Sequence, residues 1–204
     1  MGLSLVLFDL DDTLCTYDRS GRVAELARLA GRSSAAVREA IFESGFEDDG
    51  DRGLLSAEAY LAGFSQRLGA PLSRAQWYAN RAKHTTLRPE MLALVREVQR
   101  RSATAVFTQN GPLLREGFAT LFPELVGAFG AENIHFSCEL GALKTEPEAY
   151  RRLLAQRGEE PDATLFVDDG ADYVAAAEAA GLHGHHFTGL AGLERRLHGF
   201  GLLP

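Results

Sequence analysis

The chain has 204 residues and carries 21 Lys and Arg against 28 Asp and Glu, a formal charge of −7. That balance argues against a nucleic-acid partner, because phosphate backbones are bound by clustered basic side chains, and no apolar stretch reaches the ~20 residues needed to cross a bilayer. Cys15 and Cys138, the only two cysteines, have no metal-type spacing and read as free thiols of a reducing compartment. Together with an apolar run at Leu3 to Phe8 too short for a signal-peptide core, they lead to the expectation of a soluble cytoplasmic protein.

The first element in chain order is that run, Leu3 to Phe8, a strand apolar on both faces that passes directly into Asp9, Leu10, Asp11, Asp12, Thr13 and Leu14. Residues 15–87 then show no strand pattern. Val23, Leu26, Ala27 and Ala30 share one helical face, as do Val37 and Ile41, and then Tyr60, Leu61, Phe64 and Leu68. Ser73 and Gln76 have capping-box spacing for a further helix bearing Trp77. Glu47, Asp48, Asp49 and Asp51 read as a solvated loop between helices, and Arg19 and Arg52 as solvated arginines. A small helical insertion over residues 15–87 is therefore expected, dividing a core of residues 1–14 and 88–204.

Beyond Arg88 the pattern alternates. Pro89 opens a helix with Leu92, Val95 and Val98, and Thr104 to Phe107 form a strand leading into Thr108. Pro112 opens a helix that stops before Pro123. Ile134 and Phe136 mark a third strand, and Glu146 and Pro147 start a helix closed by Gly158. Thr164 to Val167 form a fourth strand ending in Asp168 and Asp169, and Asp172 is placed to cap a helix from Tyr173 to Ala180. His183, His185 and His186 sit in a short final strand rather than a metal site. Buried strands alternating with helices predict an α/β fold, a doubly wound (Rossmann-like) parallel sheet with ligands beyond the carboxyl ends of its strands.

Those strand ends carry Asp9 and Asp11, Thr108, Lys144, and Asp168 with Asp169. Side chains at i and i+2 of an extended segment share a side, so Asp9 and Asp11 should converge, and two adjacent carboxylates stay ionised only beside a cation. The spacing points to a hard metal such as Mg²⁺, with one carboxylate ionised and the other able to carry a proton. The Thr108 hydroxyl and the Lys144 ammonium suit phosphate oxygens.

In order and type, Asp9-Leu10-Asp11-Asp12-Thr13, Thr108, Lys144 and Asp168-Asp169 resemble the four motifs of the haloacid dehalogenase superfamily, and the helical insertion occupies the place of its type 1 cap. The resemblance implies that Asp9 is a nucleophile passing through an aspartyl-phosphate and Asp11 a general acid and base. It further implies Mg²⁺ held by Asp9, Asp169 and the backbone carbonyl of Asp11, with Asp168 acting through water. Dehalogenases of this fold lack the second Asp, so a phosphatase of a small phosphorylated metabolite is expected. A sugar-phosphate mutase of the same family and a receiver-like phospho-switch are the alternatives. Two departures stand out. Gln109 separates Thr108 from Asn110, so either amide could contact phosphate, and Thr145 follows Lys144 where the family has Pro. Substrate and oligomeric state are not legible.

Overall fold

The computed structural model describes residues 2–204. Strand β1 (Leu5–Phe8) leads through a tight loop to β2 (Cys15–Tyr17), and then come the inserted helices α1 (Arg19–Ala30), α2 (Ser34–Val37), α3 (Phe46–Asp51), α4 (Ala57–Leu68) and α5 (Arg74–Lys83), with a π-turn at Arg38–Phe42 after α2. Strand β3 (Thr85–Leu87) closes the insertion and α6 (Pro89–Val98) follows. The rest runs β4 (Ala103–Thr108), α7 (Pro112–Leu121), α8 (Pro123–Phe129), β5 (Ile134–Phe136), α9 (Ser137–Leu140), α10 (Pro147–Arg157), β6 (Thr164–Asp168), α11 (Ala171–Ala179), β7 (His183–His186) and α12 (Leu190–Gly199).

Five strands form one parallel sheet in the order β5-β4-β1-β6-β7, which places β1 at the centre. Alternation along β1 sorts its side chains between two cores. Leu5 and Leu7 join Ala105, Phe107 and Phe166 beneath Tyr150 and Leu153 of α10 and Ala177 of α11. Val6 and Phe8 join Val106 and Val167 against Met91 and Val95 of α6, Phe129 of α8 and Leu193 of α12. This second core continues into the insertion through Val23, Phe64 and Trp77, so sheet and insertion share apolar burial. No helix among the described residues is long and apolar enough to cross a membrane.

Three expectations need correction. The insertion is flanked by strands: β2 and β3 pair antiparallel, Cys15 with Leu87 and Tyr17 with Thr85, in segments of three residues that are too short to display alternation. The acidic stretch is not a loop, for Phe46–Asp51 is helical and anchored by buried Phe46, which stacks on Tyr60 at 5.1 Å. Helix α11 begins at Ala171 with Gly170 at the cap position, and Asp172 lies in its first turn instead of capping it. The competing interaction is Asp168, whose Oδ1 accepts the Gly170 N–H at 2.7 Å. The capping box at Ser73 and Gln76 is present.

Arg52, partly exposed, forms a two-point pair with Glu146 ahead of α10. Beside it Gly53 has φ +74°, and a Cβ there would run into the Cys138 carbonyl oxygen of α9. Both the left-handed backbone and the close approach demand glycine. Gly53→Ala is expected to destabilise the protein by about 1–3 kcal/mol, read as a lower denaturation midpoint in urea.

His135 in β5 gives a pH dependence. Burial first, and Arg157 second, push its pKa down to about 4, and Arg157 Nη1 lies 2.8 Å from its Nε2, which therefore accepts as a neutral ring nitrogen. A depressed histidine favours the folded state above its unfolded value of about 6.5, and that contribution fades as pH falls towards the folded value. Urea titrations of wild type and His135→Gln should show wild type losing stability relative to the variant across that window.

Candidate active site

Beyond Phe8 the main chain stays paired for one more residue, with Asp9 N–H donating to Val167 O at 2.9 Å, and then turns sharply. Leu14 and Cys15 both donate N–H to Leu10 O at 3.0 Å. Asp12 takes a left-handed φ of 59°, tolerated because its Oδ1 accepts the Tyr17 N–H at 3.0 Å. Asp9 and Asp11 do line one cavity. This loop, rather than strand alternation, brings them there.

Asp9 is 4 % exposed, Lys144 1 % and Asp168 fully buried. Lys144 Nζ lies 2.5 Å from Asp9 Oδ1 and also pairs with Asp168 Oδ2. Burial alone would lower the lysine's pKa, but Asp168 and Asp9 raise it overall, so it stays charged. For Asp9 burial dominates and lifts the carboxyl well above the usual range, with Lys144 opposing and Asp168 and Asp11 adding to the rise. The lysine's backbone is fixed as well. Its N–H donates to Gln109 Oε1 at 2.9 Å, and its carbonyl lies 2.9 Å from the Tyr150 hydroxyl.

Asp11 has a cation of its own. Arg81, 1 % exposed on α5, places Nη2 2.5 Å from Asp11 Oδ1 while its guanidinium lies 4.0 Å over the Tyr17 ring. Asn110 Nδ2 adds a contact at 3.4 Å and Cys15 Sγ another at 3.6 Å. Burial raises the Asp11 pKa, but Arg81, with the hydrogen bonds from Asn110 and Cys15, outweighs it and the net shift is downward, so Asp11 rests ionised. The only signal of Arg81 in the sequence is that it follows Trp77 by one helical turn on the buried face of α5.

Asp9, Asp168 and Asp169 offer oxygens all within 4.8 Å of one another. A cluster of carboxylates at the mouth of a parallel sheet fits a hard divalent cation that takes oxygen ligands. Thr108 Oγ1 accepts from Asn110 Nδ2 at 2.7 Å, which leaves the hydroxyl proton free for a ligand. The cavity over these groups measures about 170 Å³. A larger groove of about 240 Å³ at Phe118, Val126 and Ile134 offers as charged groups only Arg115 and Glu139, already paired with each other at 2.6 Å.

The family model described as haloacid dehalogenase-like hydrolase matches residues 3–181. The chain belongs to that family. Among solved structures, a predicted HAD-like family hydrolase from Porphyromonas gingivalis is similar with a TM-score of 0.81 at 21 % identity, covering 97 % of this chain and 98 % of that one. An HAD family enzyme from Bacteroides thetaiotaomicron, in complex with magnesium and inorganic phosphate, gives a TM-score of 0.73 at 18 % identity over 90 % and 93 % of the two chains. The L-2-haloacid dehalogenase of Xanthobacter autotrophicus with chloropropionic acid covalently bound gives 0.61 at 16 % identity over 99 % and 85 %.

In this haloacid dehalogenase-like hydrolase the two amides of the second motif divide their work. Gln109 holds the backbone of Lys144, while Asn110 lies between Thr108 and Asp11. The late proline, Pro147, starts α10. Lys144 is nonetheless seated between the two carboxylates. Arg19 borders the cavity, at the exposed end of the site.

Proposed function

We propose that this hydrolase is a Mg²⁺-dependent phosphatase of small phosphorylated metabolites, with helices α1–α5 as its cap. The observation that carries this reading is the second carboxylate, Asp11, turned into the cavity of Asp9 and held there by Arg81. A halide leaves without a proton, so dehalogenation has no use for it. An alkoxide leaving group needs one.

The Asp9 carboxylate attacks phosphorus, the bond to the ester oxygen breaks, and that oxygen takes a proton from Asp11. Water then attacks the phosphorus of the aspartyl-phosphate, losing a proton to Asp11, and Asp9 is released with inorganic phosphate. Arg81 keeps Asp11 ionised at rest, the form needed in the second step. A substrate phosphate brought beside Asp11 raises its proton affinity by like-charge repulsion, the form needed in the first. Lys144 orients Asp9, and the Thr108 hydroxyl donates to a phosphate oxygen. Asp9 and Asp169, with Asp168 and the Asp11 carbonyl, would hold Mg²⁺, whose charge neutralises the phosphoryl group when bound.

The test is phosphate release from a panel of metabolite phosphates and one aryl phosphate, with Mg²⁺ and with excess chelator, alongside halide release from a 2-haloacid. Metal-dependent phosphate release without halide release is expected. Halide release alone would contradict the reading, and identification of the products separates hydrolysis from phosphoryl transfer within a sugar phosphate.

A further inference from the structure

A second cavity of about 170 Å³ opens from the first between α1, α3 and the Asn110 loop. It shares Asp11, Tyr17, Arg19, Gln109 and Tyr173 with the nucleophile's cavity, so a molecule with its phosphate at Asp9 extends its alcohol portion here. The lining is almost wholly polar. Glu47 and Asp51 stand one helical turn apart on α3, facing Arg22 of α1.

Arg22 is 4 % exposed and two of its three nitrogens are engaged. Nε donates to Asn80 Oδ1 at 3.1 Å and Nη1 to the Tyr17 hydroxyl at 2.8 Å, and the guanidinium lies 4.7 Å from the Trp77 ring centroid. Nη2 is buried with no partner. An unpaired buried donor is costly, and Arg22 is also one of the residues lining the cavity beside the reacting groups. Glu47 takes the Tyr60 hydroxyl on Oε1, while Asp51 makes no ion pair among the described residues and lines the cavity beside Gln109.

We propose, on the phosphatase reading above, that this cavity binds the leaving group and selects a small polyhydroxylated alcohol, so that the substrate is a polyol or sugar monophosphate. A hydroxyl both donates and accepts. It can accept from Arg22 Nη2 while a neighbouring hydroxyl donates to Asp51, which suits donors and acceptors set side by side. A carboxylate-bearing alcohol fits less well, because Glu47, Asp48 and Asp51 line the same cavity and would repel a further negative charge. An alkyl or acyl chain would bury the Asp51 carboxyl against apolar carbon and give Arg22 Nη2 no partner.

The experiment compares kcat/KM for Mg²⁺-dependent phosphate release from polyol and sugar phosphates, an amino-acid phosphate, an alkyl phosphate of equal carbon count and an aryl phosphate, in wild type and Asp51→Asn. Wild type is expected to favour the hydroxylated esters by about tenfold to a hundredfold over the alkyl ester, and Asp51→Asn to narrow that ratio. Thermal midpoints establish that the variant is folded, and the wild-type ratios decide the matter by themselves if it is not. Preference for the amino-acid phosphate or the alkyl ester, with the aryl ester still hydrolysed, overturns this inference and leaves the phosphatase reading standing. No release from any ester overturns both.

Discussion

Asp9→Asn is expected to reduce phosphate release by roughly 10⁴-fold or more, because an amide oxygen does not replace the attacking carboxylate. The same change should leave the thermal midpoint unchanged or raise it. Asp9 is a buried carboxyl whose ionised form is disfavoured first by burial and further by Asp168 and Asp11. Lys144 would keep Asp168 as its counterion. Activity lost with stability kept is what a strained functional site gives up when its charge is removed. A large fall in both would mean that Asp9 serves the fold.

Lys144→Met is expected to behave in the opposite way on stability. Removing the ammonium leaves Asp9 and Asp168 buried against each other with no cation, and breaking a buried pair costs about 3–5 kcal/mol. Turnover should be lost as well, since nothing then orients Asp9. Divalent metal should raise the midpoint of Lys144→Met more than that of wild type, because Asp9, Asp168 and Asp169 gain the only positive charge within their reach. Thermal melts of both proteins with Mg²⁺ and with chelator check this. Equal midpoints without metal would show that Lys144 does not hold the cluster together.

The parts of the site that were legible in sequence are those attached to strands. Asp9, Thr108 and Asp168 follow or end apolar runs buried on both faces, so the sheet delivers them to one edge, and the strand order confirms that edge as shared by β1, β4 and β6. The parts that were not legible depend on the insertion. Arg81 meets Asp11 across 70 positions, and Arg22 meets Asn80 across 58, pairings that no local pattern encodes. The acidic run at Glu47 to Asp51 reads as a loop because its only apolar anchor is Phe46, one residue before the charges begin. Short segments mislead for the same physical reason: β2 and β3 are set by their pairing with each other, not by alternation within either.

Asp11→Asn supplies the most direct measurement. An aryl alcohol leaves phosphorus without needing a proton, so this variant should still transfer the phosphoryl group to Asp9 yet hydrolyse the product slowly, for want of a base. Acid-quenched protein taken during reaction with an aryl phosphate and Mg²⁺, digested and analysed by mass spectrometry, should carry one phosphoryl group on the peptide containing Asp9. That group should be missing when Asp9→Asn is added to the same chain. Aryl phosphate turnover with no phosphoryl group on that peptide, or with one on another residue, would contradict the assignment of Asp9 as nucleophile.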